Sequence, residues 1–357
     1  MAYLFVFAFS FLCVFLYDKG DQAVKLISLL IFFFTLLFIP SFQYGIGTDY
    51  FTYFRIVDDV SYIDFLKRKG ELFFYYIYSA INYLGLPNQS IFIITATVQL
   101  LLLLNILKKL SKREGYCVIW FFIGYFLITN YYHNQMNQLR SYTSIMFFIN
   151  ALLYRFDKKY FTGLIFCFFA VISHASAIAL IPLLFLNQRI SRFVLEYRYL
   201  VVFLSCIIFS LNIYKPILFF LVEHVFPFYN GYIHTLFNES DGLLDVASKL
   251  YYFPIILYVL LFVGKERQNF TDFDNYLFSF FLLTCVSYLL LMQSTVFLRF
   301  WIFFIILYPL VLSRMFDFKN DKRIHSLFWF LYLLTPYIFK VVIFPVREFD
   351  LKLIFMY

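Results

Sequence analysis

Apolar runs and short charged breaks alternate along the whole of this chain. The runs fall at residues 2–17, Leu26 to Pro40, Ile91 to Leu107, Tyr116 to Tyr132, Tyr131 to Tyr154, 199–213, 250–263, 275–292, 299–313 and 325–344. Two more, Tyr160 to Ile172 and His174 to Leu186, are short for a hydrocarbon core about 30 Å thick at a rise of 1.5 Å per residue. They read as two half-depth or tilted helices that meet at a turn. The segment Glu71 to Leu86 is apolar but rich in Tyr and Asn, which predicts a helix lying on the interface. Two long polar connections remain, 41–70 and 214–249. In lipid a backbone must satisfy its own hydrogen bonds, so the spans are predicted to be helices. No ten-residue alternation of the barrel kind is present. The expected fold is therefore all-α: one integral membrane unit over 1–357, with about twelve spans, two long outer-face loops carrying short interfacial helices, and no soluble domain appended. The first run lacks a basic leader and a small-residue cleavage site, which predicts a retained helix.

Composition sharpens the class. Hydrophobic residues make up 63% and charged ones 14%, against about 45–50% and about 25% in soluble domains. The basic excess, net +8, sets orientation rather than pointing to nucleic acid. Of 29 Lys and Arg, 18 fall in the short loops 18–25, 108–115, 155–159, 187–198, 264–274 and 314–324. Short basic loops stay in the cytoplasm, so both long connections and both termini are expected outside. The Lys67-Arg68-Lys69 cluster is the count against this arrangement. The five cysteines lie singly in or beside apolar runs and read as small hydrophobes. His224 and His234, with Glu223, Glu239 and Asp241, match no ligand spacing, so no metal is expected. No P-loop, Rossmann fingerprint or nucleophile elbow stands in the chain, and no cofactor is expected.

The candidate chemistry lies on the expected outer side. Were Tyr131 to Tyr154 a single helix, His133, Asn137, Arg140 and Ser144 would share one face. Ionisable residues at membrane depth are costly and usually face a protein interior or a wet cavity. The plainer reading of a lone Arg at a span end is an interfacial anchor. No acidic residue lies within a helical turn of Arg140, so its partner must come from elsewhere in the fold or from a ligand. Ser173-His174 sits isolated between apolar runs, and Gly47 to Tyr50 reads GTDY.

Together these pieces resemble the EpsG-like branch of the Wzy-type O-antigen and exopolysaccharide polymerases. The resemblance rests on Gly47 to Tyr50, Asn137 to Arg140, Lys158-Lys159, Ser173 to Ser176 with Pro182, and Arg299-Phe300-Trp301. It covers most of the chain in order and spacing. One departure is visible: the basic residue the family often carries before its GxGxDY segment is absent, since Ser41, Phe42 and Gln43 precede Tyr44. Arg55 is the nearest substitute.

The resemblance implies glycosyl transfer between undecaprenyl-pyrophosphate-linked saccharides at the outer face of a bacterial cytoplasmic membrane. A flippase and a chain-length regulator of the same pathway would be partners. Such a reaction needs a proton acceptor, cations for the leaving pyrophosphate and a greasy groove for the lipid. His174 and Asp49 are the candidate catalytic residues. Arg140, Arg299 and Arg55 are the candidate pyrophosphate ligands, with pyrophosphate as the expected partner of Arg140. Tyr50, His133, Asn137 and Gln138 are expected to bind or orient the sugar. A transporter or flippase of lipid-linked oligosaccharide is the alternative, and the halves show no convincing repeat to support it. A membrane acyltransferase ranks below it.

Overall fold

The computed structural model describes residues 2–128, 131–211, 253–283, 307–317, 323–345, 349 and 351–356, with isolated residues from 216 to 251 and at 305. Arg299 and most of the connection 214–249 lie outside the described residues. Among the described residues the structure is helical, with a single bridge between Gln43 and Leu353. Among the described residues, four helices are long and apolar enough to cross a membrane: α1 (Ala2–Lys19), α2 (Gln22–Phe42), Ser90–Leu110 and Ile324–Ile343. The chain divides into two compact units, 1–184 with 308–357, and 185–307.

In the first unit α1 and α2 form a hairpin. Asp21 caps α2, its side chain accepting from the Val24 amide at 2.9 Å. Only glycine fits at position 20, where a Cβ would stand 2.4 Å from Val24 and 2.7 Å from the Leu16 carbonyl.

The connection 41–70, expected as a long outer-face loop carrying short interfacial helices, holds α3 (Tyr50–Ile56) and α4 (Val60–Arg68). Tyr50, Tyr53 and Ile56 recur every third residue, as do Ile63 and Leu66, and these faces are buried. They pack on α5 (Leu72–Tyr83), the helix expected at the interface. Asn82 fastens α5 back to the Val57 carbonyl at 2.9 Å.

The apolar α6 (Ser90–Leu110) packs on α2 and on the helix Leu139–Phe156. It carries buried polar groups across that contact: Gln99 donates to Thr143 Oγ1 at 3.0 Å and Asn105 to Asn150 at 2.5 Å. Such pairs satisfy groups that lipid would leave bare.

After α7 (Val118–Ile123) the chain reaches α8 (Tyr131–Asn137) and α9 (Leu139–Phe156). These are two helices, not the single one expected. Gln138 breaks the helical path with φ −121° and ψ 57°. The four-residue polar face is therefore interrupted between Asn137 and Arg140. α9 packs along α10 (Tyr160–Ser173), brought close by Gly163, where a Cβ would lie 3.2 Å from the Ala151 carbonyl. His174 ends α10 in extended backbone, and a 3-10 turn (Ala175–Leu180) and α11 (Ile181–Leu184) follow. The turn expected at Ser173-His174 is there.

Four of the expected cytoplasmic loops meet at one end of this unit. Asp157 binds Arg113 at 2.5 Å and also Lys109. Tyr17 bonds Ser111 at 3.0 Å, and Arg314 lies over Gly115. In the second unit the remaining two loops pair likewise. There α12 (Gln188–Glu196) precedes α13 (Arg198–Ser210) and packs on the helix Asp272–Leu283. Arg192 faces Asp272, and Arg267 faces Glu196, each at 3.5 Å.

Candidate active site

α4 ends in a Schellman motif. Gly70 adopts φ +80°, its amide bonds the Lys67 carbonyl at 3.1 Å, and the Glu71 amide bonds the Leu66 carbonyl at 2.9 Å. The positive φ is what glycine supplies at no steric cost. The motif turns the chain so that the residue closing α4 also opens α5. That residue is Glu71, at the helix N-terminus, where the dipole favours a carboxylate.

The Glu71 side chain is fully buried and gathers three basic partners. Oε2 accepts from Arg140 at 2.5 Å. Oε1 accepts from His174 Nδ1 at 2.8 Å and faces Lys69 Nζ at 3.0 Å. Arg140, His174 and Lys69 keep 16%, 14% and 11% of their side-chain surface exposed. Burial alone would favour the neutral acid. The His174 hydrogen bond and the charges of Arg140 and Lys69 outweigh it and hold the carboxyl well below its ordinary range. An ionised carboxylate only accepts, so His174 Nδ1 carries the proton and the imidazole lone pair sits on Nε2.

Each partner is delivered by a local break in regular structure. The kink at Gln138 sends Asn137 one way and Arg140, the second residue of α9, the other. His174 is presented by the end of α10, and Ser144 of α9 holds that turn by donating to the Ala170 carbonyl at 2.6 Å.

A second group adjoins the first. Asn137 Oδ1 accepts from the Asp49 amide at 3.0 Å and from the Thr48 hydroxyl at 3.5 Å. Gly47 lets the loop approach, with φ +78° and a would-be Cβ 2.3 Å from Asn137 Oδ1. Asp49 stands at the start of α3, yet its side chain does not cap that helix. Between Asp49 and Arg140 lies Tyr53, its ring 5.9 Å from the guanidinium carbon. Burial pushes its hydroxyl up to about 12; Arg140 opposes the rise, and Asp49 and Glu71 add to it.

The structure thus brings together His174, Arg140, Asn137 and Asp49. It seals Tyr50 and His133 away. Tyr50 donates to Gln89 at 3.0 Å and stacks on Phe92 at 4.7 Å. His133 bonds Tyr337 at 2.7 Å amid Tyr3 and Phe349. Gln138 is half-buried at the helix break, and Arg55 is exposed on α3.

The partner expected for Arg140 was a ligand phosphate; the fold supplies Glu71. Sequence reading passed over Glu71, Lys69 and Tyr53. A signal was present, since a carboxylate heading an apolar segment beside three basic residues is costly to bury unless those residues pair it.

Residues 25–357 match the family model described as the EpsG family. The chain belongs to the EpsG family. This is a family of Wzy-type polymerase-like proteins, and membership suggests a polysaccharide-polymerase-like role. No curated protein and no solved structure matches the chain. The GTDY loop, the Asn137–Arg140 segment and the Ser173-His174 turn that suggested EpsG from sequence are the pieces that meet around Glu71 and Asn137.

Proposed function

We propose that this protein polymerises saccharide repeat units carried on a lipid pyrophosphate, undecaprenyl pyrophosphate, at the outer face of a bacterial cytoplasmic membrane. The observation that carries the reading is one buried carboxylate bonded to both an imidazole and a guanidinium. Glu71 fixes the His174 tautomer, so Nε2 takes the proton of an acceptor sugar hydroxyl. The freed oxygen attacks the anomeric carbon of the donor chain. The bond from that carbon to the pyrophosphate oxygen breaks, and the pyrophosphate leaves with the electron pair. Arg140 and Lys69, two cations over one carboxylate, meet that charge. Arg55 and Arg299 remain candidate second ligands of the pyrophosphate. Asp49 orients or accepts from sugar hydroxyls, on a loop that Asn137 positions. Gln138 shapes the site through the kink; Tyr50 and His133 act through packing.

The proposed topology has twelve spans with the basic loops inside. The convergence of those loops at one end of each unit supports it. The direct test is a His174→Ala protein assayed by polysaccharide ladder on a gel. A ladder confined to single repeat units, at normal membrane level of the protein, is expected. A full-length ladder would remove His174 as the base.

A further inference from the structure

The loop 43–49 carries Asp49, and it is tied at both ends. At its far end the Asp49 amide donates to Asn137 Oδ1 of α8 at 3.0 Å. At its near end a late segment of the chain pairs with it. The Tyr44 amide donates to the Lys352 carbonyl at 2.9 Å, and Gln43 faces Leu353 in the antiparallel bridge. Gln89 steadies the same end by donating to the Gln43 carbonyl at 3.0 Å. Between the two ends Gly45 and Gly47 sit at φ +61° and +78°. Glycine enters such conformations at no steric cost, so this stretch has many to choose among unless its ends are set.

The late segment has a second attachment. Phe349 is buried and meets the His133 ring edge to face, with centroids 4.8 Å apart. Leu353 is buried too, and Phe355 packs on Phe38 and Phe42 of α2 at 6.0 and 6.1 Å. His133 and Asn137 lie four residues apart on α8, so they share a face about 6 Å apart along the axis. The contacts close a circuit. α8 holds Asp49 through Asn137, and it holds Tyr44 through His133, Phe349 and Lys352. Both ends of the loop are thus referred to one helix, and that helix meets the helix of Arg140 at the Gln138 kink. His133, which the proposed chemistry does not use, finds its role here. Its bond to Tyr337 at 2.7 Å fixes the ring as a seat for Phe349. We propose that Phe349, with residues 351–353, is a clasp that positions Asp49 against α8. The task of the positioned carboxylate, contact with sugar hydroxyls, rests on the polymerase reading.

The test uses the full-length protein in proteoliposomes, cysteine-free apart from one nitroxide site. Thr48 is exposed on the loop, so Thr48→Cys carries the label, and Lys112→Cys carries it in a control sample. Phe349→Ala should shift the spectrum at position 48 towards the mobile limit and leave that at position 112 unchanged. Phe349→Leu should restore most of the order. Turnover is measured on unlabelled protein. An unset loop lowers the fraction of protein ready to bind, so KM for the lipid-linked repeat unit rises while kcat at saturation holds. Losing one aromatic pair should raise KM by about three- to ten-fold. A fall in kcat at unchanged KM overturns the proposal, and so does an unchanged spectrum at position 48 in Phe349→Ala. Hydrogen exchange of the wild-type protein needs no variant: an unprotected Tyr44 amide overturns it as well. Spectra and exchange need no turnover. A protein that builds no polymer, yet whose loop loosens in Phe349→Ala, keeps the clasp and loses the polymerase reading; a polymerising protein whose loop does not loosen does the reverse.

Discussion

Glu71 answers three basic side chains with two oxygens, and this sets what each of them can do. Arg140 spends one nitrogen on Glu71 and has a buried Nε with no partner among the described residues. A planar fork can serve a carboxylate and a phosphate at once, whereas an ammonium is a point charge. Arg140→Ala should therefore reduce the polysaccharide ladder to single repeats, and Arg140→Lys should restore little of it. A normal ladder from Arg140→Ala would leave Arg140 as a structural counter-ion. Gly47→Ala is expected to be nearly as damaging. It combines a left-handed φ with a clash into Asn137, and strain of this kind costs about 1–3 kcal/mol. The readout is polymer yield at normal membrane level. Arg140, Asn137, Asp49 and His174 were legible in the sequence because polar residues stand out in an apolar chain. Glu71 was not, because it reads as the N-terminal acid of an interfacial helix. Its burial depends on contacts to residues 69 and 103 positions away.

At the scale of elements, the long apolar runs were readable, and short helices in the outer loops were expected, but their bounds and packing were not legible. α3 and α4 have seven and nine residues and mix charge with aromatic faces. Lengths like these do not hold alone in water and depend on the packing they find. The break at Gln138 was equally hidden, since nothing in HNQMNQLR forbids a continuous helix. These elements depend on the Glu71 cluster, which joins the α4–α5 turn to α9 and α10. Removing one partner of a buried pair costs about 3–5 kcal/mol, so Glu71→Gln should lower the thermal midpoint in detergent. The pH dependence follows from the depressed carboxyl. Its stabilisation is complete above the ordinary glutamate value of about 4.3 and is lost only as pH falls through the lower, folded value. The difference in midpoint between wild type and Glu71→Gln should thus stay constant from about pH 8 to about pH 5.5. A difference that shrinks across that range would mean the carboxyl titrates there and is not held ionised.

For the whole molecule, the charge pattern and the contacts agree. Loops expected inside gather at one end of each unit, and Asp157 ties two of them together. In a cysteine-free background, a cysteine at Lys112 should react only with reagent from the cytoplasmic side, and one at Asp49 from outside. Labelling of position 112 from outside would invert the proposed topology. The central claim is that Glu71 makes His174 and Arg140 a catalytic pair. Its most direct test is turnover of purified protein in proteoliposomes, with lipid-pyrophosphate-linked repeat units as substrate and chain length as the readout. Glu71→Gln keeps the shape but removes the charge that orients the imidazole, so polymerisation should fall by about 100-fold or more, with the protein still reconstituted and monodisperse. Chains of wild-type length formed at the wild-type rate by Glu71→Gln would contradict it.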